Sequence, residues 1–338
     1  MKLIRFFLVP FALLYGMVTY LRNKCFDLHF IKTIIIPGKS ICVGNLSVGG
    51  TGKSPHVAYL ANLLMEYDPV ILSRGYGRKT NGFIQADDFC KVTDIGDEPL
   101  AHFQRFLKKV AVFVCENRSL GVAKIREKYQ GPIILDDGFQ HRKVKAGLSI
   151  VLTEYNRLFT EDYMMPYGRL REFSSGVKRA DYLIVSKCPV NISYSEKSRI
   201  SDVLPFNKNR IYFSEISYGS FVSVGKSIDY LIKHVLLVTG IANPKPLFAY
   251  LAPNYKVDSI SFLDHHLFTI SDIKKIHSKF ESLKKEGGIL LTTEKDYMRL
   301  LEFKDQLKNF PWFFIPIDIK LDNEAQFKKE IISYVTRV

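Results

Sequence analysis

The sequence is short of paired cysteines, of acidic residues and of long apolar runs. Its five cysteines are Cys25, Cys42, Cys90, Cys115 and Cys188. They are scattered, odd in number and form no C-x-x-C pair, which excludes a disulfide framework or a cysteine zinc site. They read instead as small buried hydrophobes in a reducing cytoplasm. Lys plus Arg is 48 against 34 for Asp plus Glu, a formal charge of +14. That excess favours anionic partners: nucleic acid, acidic lipid or a phosphorylated substrate. Nucleic acid would call for aromatic residues interleaved with Lys and Arg on one stripe, and no such stripe is present. There is no internal repeat, no low-complexity tract and no segment that marks an obligate protein partner. Apolar residues make up 47% of the 338, enough for a sizeable core.

Residues 1–24 read MKLIRFFLVPFALLYGMVTYLRNK. The uncharged run from Phe6 to Leu21 is shorter than the roughly 20 residues a spanning helix needs, and Pro10 and Gly16 interrupt it. Lys2 and Arg5 precede it; Arg22 and Lys24 follow. No small-residue cleavage site precedes the second basic pair, so a secretory signal is disfavoured. The pattern predicts a membrane-seated helix in the cytoplasmic leaflet, with Arg22 and Lys24 at anionic headgroups. A buried core helix is the alternative.

Short apolar runs then alternate with helical patterns. Strands are predicted at 40–44, 69–73, 110–115, 132–136, 148–153 and 181–186, with helices at Lys53–Glu66 and Glu98–Lys108 between them. Nearly all-apolar strands suit a parallel sheet buried on both faces. Strand–helix alternation predicts an α/β fold, a doubly wound parallel sheet. After Ser186 the texture loosens, and a second α/β set follows: strands at 234–239, 256–260 and 288–293, and helices near Pro246–Ala252 and over 271–285. One more strand, 311–318, and a helix over 323–336 complete the chain. The implied organisation is an N-terminal helix (1–24), a phosphate-loop domain (25–210) and a smaller α/β domain (228–310). Segments 211–223 and 313–321 would pair as a two-stranded linker, and 322–338 would form a helix returning to the first domain.

The stretch SICVGNLSVGGTGKSPHVAYL, Ser40 to Leu60, is a strand, a glycine-rich turn and a helix. Gly49, Gly50 and Gly52 let the backbone curl with its N–H groups inward. A helix starting near Lys53 adds its N-terminal dipole, so the loop Ser47, Val48, Gly49, Gly50, Thr51, Gly52, Lys53, Ser54 attracts phosphate. Lys53 would reach the β- and γ-phosphates of a nucleoside triphosphate, and the Ser54 hydroxyl would ligate Mg²⁺. Ser47 stands where the usual pattern has its first glycine, a position that needs turn-compatible chemistry. Farther on, GPIILDDGFQHR is an apolar strand ending in Asp136 and Asp137, carboxylates placed to hold Mg²⁺ directly or through water.

Five more blocks follow the same order: SRGYGR (Ser73–Arg78), GDEP (Gly96–Pro99), PYGRLRE (Pro166–Glu172), DHH (Asp264–His266) and TTEKD (Thr292–Asp296). With GNLSVGGTGKSP and LDDGFQHR, this ordered set resembles the tetraacyldisaccharide 4′-kinases of lipid A biosynthesis. The resemblance runs from the apolar N-terminus to about Asp296. It implies a P-loop NTPase-like α/β domain joined to a smaller α/β domain, with the active site in the cleft between them. It implies transfer of the γ-phosphoryl of ATP to the 4′-hydroxyl of a tetraacylated glucosamine disaccharide 1-phosphate, giving lipid IVA, with ATP and Mg²⁺. It also implies a site on the cytoplasmic face of a Gram-negative inner membrane. A serine in place of the first loop glycine is usual for that family.

The resemblance further implies roles. Asp97 matches the family's base, which a sugar hydroxyl requires at neutral pH. His265 would be its partner from the second domain, with His266 one residue away as the alternative. Lys53 would act on the transferring group. Arg74 and Tyr76 would meet the acceptor, an arginine fork suiting phosphate and a tyrosine suiting a sugar ring. Arg118 and Arg171 are similar candidates for the 1-phosphate or the transferring group. Phe173 stands where the resemblance implies proline. A membrane-recruited ATPase or GTPase switch is the rival reading, but it needs neither Asp97 nor His265. VSKCP (Val185–Pro189) also has the lysine of an N-K-x-D guanine motif without an Asn or Asp in register.

Overall fold

The computed structural model describes residues 7–284 and 287–337. The expected segment ends at 1–6, 285 and 338 lie outside the described residues.

The first apolar run forms β1 (Ser40–Asn45), buried along its whole length. Such a strand needs cover on both faces, and it gets neighbours on both edges as well. β4 (Ile133–Asp136) pairs with it in parallel on one side and β5 (Leu148–Glu154) on the other. β2 (Val70–Ser73) and β3 (Ala111–Val114) continue the sheet beyond β4. β6 (Tyr182–Cys188) and β7 (Ile211–Tyr218) continue it beyond β5, still in parallel. With β12 (Ile317–Leu321) at one edge, the nine-stranded order is β12-β7-β6-β5-β1-β4-β2-β3, closed by a short antiparallel strand at Ile84–Gln85. The connections leave β1 in opposite directions, so the crevice at its carboxyl end is the place for a ligand in such a sheet.

Helices cover both faces. On one, α2 (Lys53–Leu63) and α3 (Asp97–Phe106) supply Val57, Leu60, Ala61, Leu100, Phe103 and Phe106 against Ile41, Val43, Ile71, Val112, Ile134 and Ile150. On the other, α4 (Arg118–Arg126) supplies Val122 and Ile125 against Cys42, Leu72, Phe113 and Leu135. α1 (Val9–Asp27) joins that second face through Ala12. α4 lies between β3 and β4, and a further helix, Tyr194–Val203, falls in the stretch after Ser186 where the sequence texture loosens.

The smaller sheet has β8 (His234–Thr239) at its centre. β9 (Lys256–Ser261) and β10 (Gly288–Thr293) flank it in parallel, and β11 (Trp312–Ile315) lies beyond β10. α5 (Lys245–Leu251) covers one face and α6 (Ile270–Lys284) the other. α7 (Glu294–Leu300) follows β10 directly.

The expected strand 311–318 is two strands. Pro316 has no N–H to give a ladder and breaks the run, and its carbonyl accepts a hydrogen bond from Gly219 N at 3.0 Å. Before it, β11 belongs to the small sheet and pairs antiparallel with Val222–Ser223. After it, β12 (Ile317–Leu321) belongs to the large sheet and pairs antiparallel with β7, from Ser214↔Leu321 to Tyr218↔Ile317. The ribbon is therefore shared by both sheets. α8 (Glu324–Thr336) then packs Phe327 and Ile331 into the core of the large sheet.

Candidate functional site

The loop after β1 is shaped from both ends. Gly49 and Gly52 sit at φ +106° and +86°, in the left-handed region that favours glycine. Ser47 does not: it forms an antiparallel bridge with Leu170. The bridge belongs to a short clasp. Val48 N donates to Arg169 O at 2.8 Å, and Arg171 N donates to Leu46 O at 2.8 Å. A residue in this extended pairing needs no glycine, which explains the serine. Asn45 Nδ2 donates to Thr51 Oγ1 at 2.8 Å across the loop, and Ser186 Oγ donates to Thr51 O at 2.8 Å. At the helix end the buried His56 accepts and donates at once. Its Nδ1–H serves Gly52 O at 2.7 Å, and its Nε2 receives the hydroxyl of Ser214 on β7 at 3.0 Å. Burial holds His56 down to about 4, so it is neutral at pH 7.

Lys53 leaves the first turn of α2 toward Asn45 Oδ1 at 3.4 Å and Asp137 at 3.8 Å. Asp137, at φ +51°, is also gripped by Arg171, with Nη2 2.8 Å from Oδ1 and Nη1 3.2 Å from Oδ2. Burial alone would raise its proton affinity, but Lys53 and Arg171 outweigh it and hold the carboxylate below its ordinary range. Asp136 is different. It is buried at the end of β4, and neither carboxylate oxygen accepts a hydrogen bond among the described residues. His102 Nε2 is 3.6 Å away. A nucleotide-bound Mg²⁺ takes one or two carboxylates together with phosphate oxygens and water. Asp136, orphaned and buried beside the loop that carries Ser54, fits such an ion, whereas Asp137 is already neutralised. Among the described residues no group of three or more His, Cys, Asp or Glu could hold a metal by itself.

Arg118, a candidate for the substrate's phosphate, has little surface to offer one. It is buried, and its guanidinium donates to the carbonyl of Cys115 and to Asp136 O at 3.5 Å. Burial lowers it to about 10, against the raising pull of Asp136 and Asp137. It props the ends of β3 and β4 beneath the site. Arg171 is likewise tied in, to Asp137 and to Asn45 O at 3.1 Å. Arg74 and Tyr76 face solvent at the rim, Tyr76 with its ring 6.0 Å from that of His265.

Asp97 opens α3 just after Gly96, which takes φ +91°. Its side chain does not cap the helix from outside. Oδ1 accepts the N–H of Glu98 at 2.9 Å, and Oδ2 meets Nδ1 of His265 at 2.9 Å. His266 turns away to Asp272 at 3.1 Å, so the pairing falls on His265. Two residues missed in the sequence complete the cluster. Arg299, buried on α7, lies 3.2 Å from Asp97 Oδ2 and 3.1 Å from Asp296, and donates to Gly240 O and His266 O. Gly240 O also accepts His265 N at 3.1 Å, so one guanidinium braces both the carboxylate and the histidine loop. Lys295 stands 3.7 Å from Asp97 and 3.5 Å from Glu98. Burial would raise Asp97, yet the His265 hydrogen bond, Lys295 and Arg299 carry it down to about 2. Burial and then Asp136 raise Glu98, a neighbour also missed. Arg299 lies in no motif, but its i, i+3 spacing from the Asp296 of TTEKD was a readable pairing.

α1 borders the same region. Tyr15 Oη donates to Arg171 O at 3.1 Å, and Asn23 Nδ2 donates to Glu172 at 2.9 Å. Arg22 donates to Gln140 O at 3.0 Å, turned to the protein rather than outward as expected. The helix exposes Phe11, Leu14, Val18 and Leu21. No helix of the described residues is long and apolar enough to cross a membrane.

The sequence profile of the tetraacyldisaccharide-1-P 4′-kinase family matches residues 4–336. A tetraacyldisaccharide 4′-kinase of Flavobacterium psychrophilum is 41% identical, over 99% of this chain and 98% of its own length. One from Bacteroides thetaiotaomicron is 40% identical, over 97% and 92%. A crystal structure of LpxK from Aquifex aeolicus in complex with ATP superimposes with a TM-score of 0.76 at 30% identity, covering 98% of this chain and 99% of that one. Profile, relatives and solved structure each match along nearly the whole length, and the chain belongs to the tetraacyldisaccharide 4′-kinase family.

Proposed function

We infer that this chain transfers the γ-phosphoryl group of ATP to the 4′-hydroxyl of a tetraacyldisaccharide 1-phosphate. The observation that carries the reading is the Asp97–His265 hydrogen bond of 2.9 Å. A nucleotide switch needs no such base; a sugar hydroxyl does.

The loop from Ser47 to Ser54 would cradle the triphosphate, with Lys53 on its β- and γ-oxygens. Asp136 and Ser54 would hold Mg²⁺, which neutralises charge on those oxygens. Asp97 takes the proton of the attacking hydroxyl, and His265 orients the carboxylate and shares the charge. Arg74 and Tyr76, exposed at the rim, suit the acceptor's phosphate and sugar. Arg171 and Arg118 support the site from below by fixing Asp137 and the strand ends. The substrate is an anionic lipid, and the apolar face of α1 suits the cytoplasmic leaflet of the inner membrane, each surface Lys or Arg adding about 1 kcal/mol. We further propose that 25–210 and 228–310 act as two domains joined by the shared ribbon.

The test is transfer of label from γ-labelled ATP, with Mg²⁺, to the lipid in detergent. Label is expected in a bisphosphorylated lipid with wild type and not with Lys53→Ala. Label found only in free phosphate, independent of lipid, would exclude the kinase reading and favour the switch.

A further inference from the structure

We propose that Lys295 is a catalytic residue, its ammonium moving from the Asp97 and Glu98 carboxylates onto the γ-phosphoryl group during transfer. The inference rests on the phosphoryl-transfer reading above and assigns the cation that the second domain brings to it.

The argument begins with how Lys295 is held. β10 ends at Thr293, whose hydroxyl receives Asp296 N at 3.0 Å and caps α7. Asp296 and Arg299 are locked together on the buried side of that helix. The backbone of Lys295 is therefore fixed, one residue before Asp296. Its side chain is not. It remains 28% exposed in the cleft, and its three neighbours, Asp97, Glu98 and His265 Nε2, lie at 3.7, 3.5 and 3.5 Å. Charge-assisted bonds run near 2.8 Å, as Lys187–Glu154 does here at 2.8 Å. Lys295 is thus a cation with three donors among acidic groups and no short bond to any of them.

The carboxylates do not need it for their integrity. Arg299 already faces Asp97 Oδ2 at 3.2 Å from the buried side. Lys295 is the partner on the open side, where a substrate enters. The two lysines serve different carboxylates of the site: Lys53 approaches Asp137 at 3.8 Å on the phosphate-loop side, and Lys295 approaches Asp97 at 3.7 Å on the side of the base. A γ-phosphoryl group held by Lys53 on one flank would have Lys295 on the flank toward Asp97, where the acceptor hydroxyl must lie. The step balances without any other reactant. The hydroxyl oxygen bonds to the γ-phosphorus, the bond to the β–γ bridging oxygen breaks, the hydroxyl proton goes to the Asp97 carboxylate, and Lys295 stays protonated as ADP leaves. Phosphoryl transfer is governed by positioning and charge neutralisation of this kind. Withdrawal of the ammonium also leaves Asp97 a better proton acceptor at the moment it is used.

The experiment is steady-state transfer from ATP to the lipid by the full chain in detergent, for wild type, Lys295→Ala and Lys295→Arg. Lys295→Ala should lower kcat about 100-fold while leaving the KM for ATP within about threefold. Lys295→Arg should recover at least about a tenth of wild-type kcat, since it restores the charge. As a second measurement, ADP with tetrafluoroaluminate should lose affinity for Lys295→Ala by a similar factor, and ADP alone should not. If Lys295→Ala does not fold, Lys295→Met keeps the stem and takes its place. A kcat within about threefold of wild type, or a loss confined to KM, overturns the assignment. So does equal weakening of ADP and its fluoroaluminate complex. A wild-type chain that moves no label to lipid overturns the transfer reading itself, and the role of Lys295 with it.

Discussion

A carboxylate held at about 2 raises the question of how Asp97 would take a proton in the proposed role of base. The answer lies in what surrounds it. Burial opposes the charge, and three cationic or donor groups reverse that preference: His265, Lys295 and Arg299. Two of them, His265 and Lys295, are accessible from the cleft, so substrate can change their grip; Arg299 cannot move without unseating Asp296 and the carbonyls of Gly240 and His266. The resting cluster keeps Asp97 ionised at every pH a cell reaches, and in the proposed reaction bound phosphates would compete for its cations. It follows that Asp97→Asn should keep ATP affinity and lose turnover by about 10²–10⁴-fold, the range a positioned base supplies. Steady-state kinetics beside an equilibrium ATP-binding measurement would check this. Weakened ATP binding with near-normal turnover would reassign Asp97 to the nucleotide.

Among the elements, α2 and β7 are joined by a single buried imidazole. His56 bonds Gly52 O at the start of α2 and Ser214 on β7, the strand that leads out to the smaller sheet. Its folded value of about 4 lies below the 6.5 of an exposed histidine, so the unfolded chain binds the proton first. Stability from His56 is complete above about pH 6.5 and falls by about 1.4 kcal/mol per pH unit until about pH 4. Between about pH 7.5 and pH 5 the loss should reach about 2 kcal/mol, and His56→Gln should remove that share of it. Urea unfolding should be followed by far-UV circular dichroism, which includes the large sheet, since the single tryptophan, Trp312, is buried in the small one. An unchanged pH slope in His56→Gln would rule this account out. The elements themselves were largely legible. The apolar runs at 40–44, 132–136 and 288–293 became strands because parallel strands covered on both faces must be apolar throughout. The glycines at 49 and 52 marked the loop because only left-handed backbone makes it. What was illegible came from tertiary partners. The physical reason for Ser47 is its pairing with Leu170, a partner far along the chain that no local pattern announces. Arg118 and Arg171 were legible as candidates for binding phosphate, but nothing local announces the carbonyls and the carboxylate that hold them in place. Arg299 and Lys295 joined the site only because α7 folds back onto α3, where Arg105 meets Glu294 at 3.4 Å.

For the molecule as a whole, charge and apolar surface point the same way. The net charge is +14, and α1 carries an apolar stripe at Phe11, Leu14, Val18 and Leu21, exposed at helical spacing. Its opposite side is already used: Ala12 and Gly16 are buried, Gly16 leaving room for Phe173, and Tyr15 reaches Arg171. Phe173, where proline was implied, stacks edge-on with Tyr20 at 6.3 Å, so that departure serves the docking of α1. A helix bonded to the segment that clasps the phosphate loop, and apolar on its outer side, fits a chain that draws its acceptor from a lipid surface. Deleting residues 1–21 should lower binding to vesicles containing anionic lipid. It also strips Tyr15 from Arg171, so lost activity on lipid in detergent would be ambiguous by itself. Phe11→Ser with Leu14→Ser and Val18→Ser separates the two effects, because it changes only the outer stripe. That triple variant should sediment poorly with vesicles yet phosphorylate lipid in detergent within about threefold of wild type, as surface changes away from a site usually allow. If the deletion and the triple variant both sediment fully, α1 is not the element that holds the protein to the membrane, and the basic surface alone must do so.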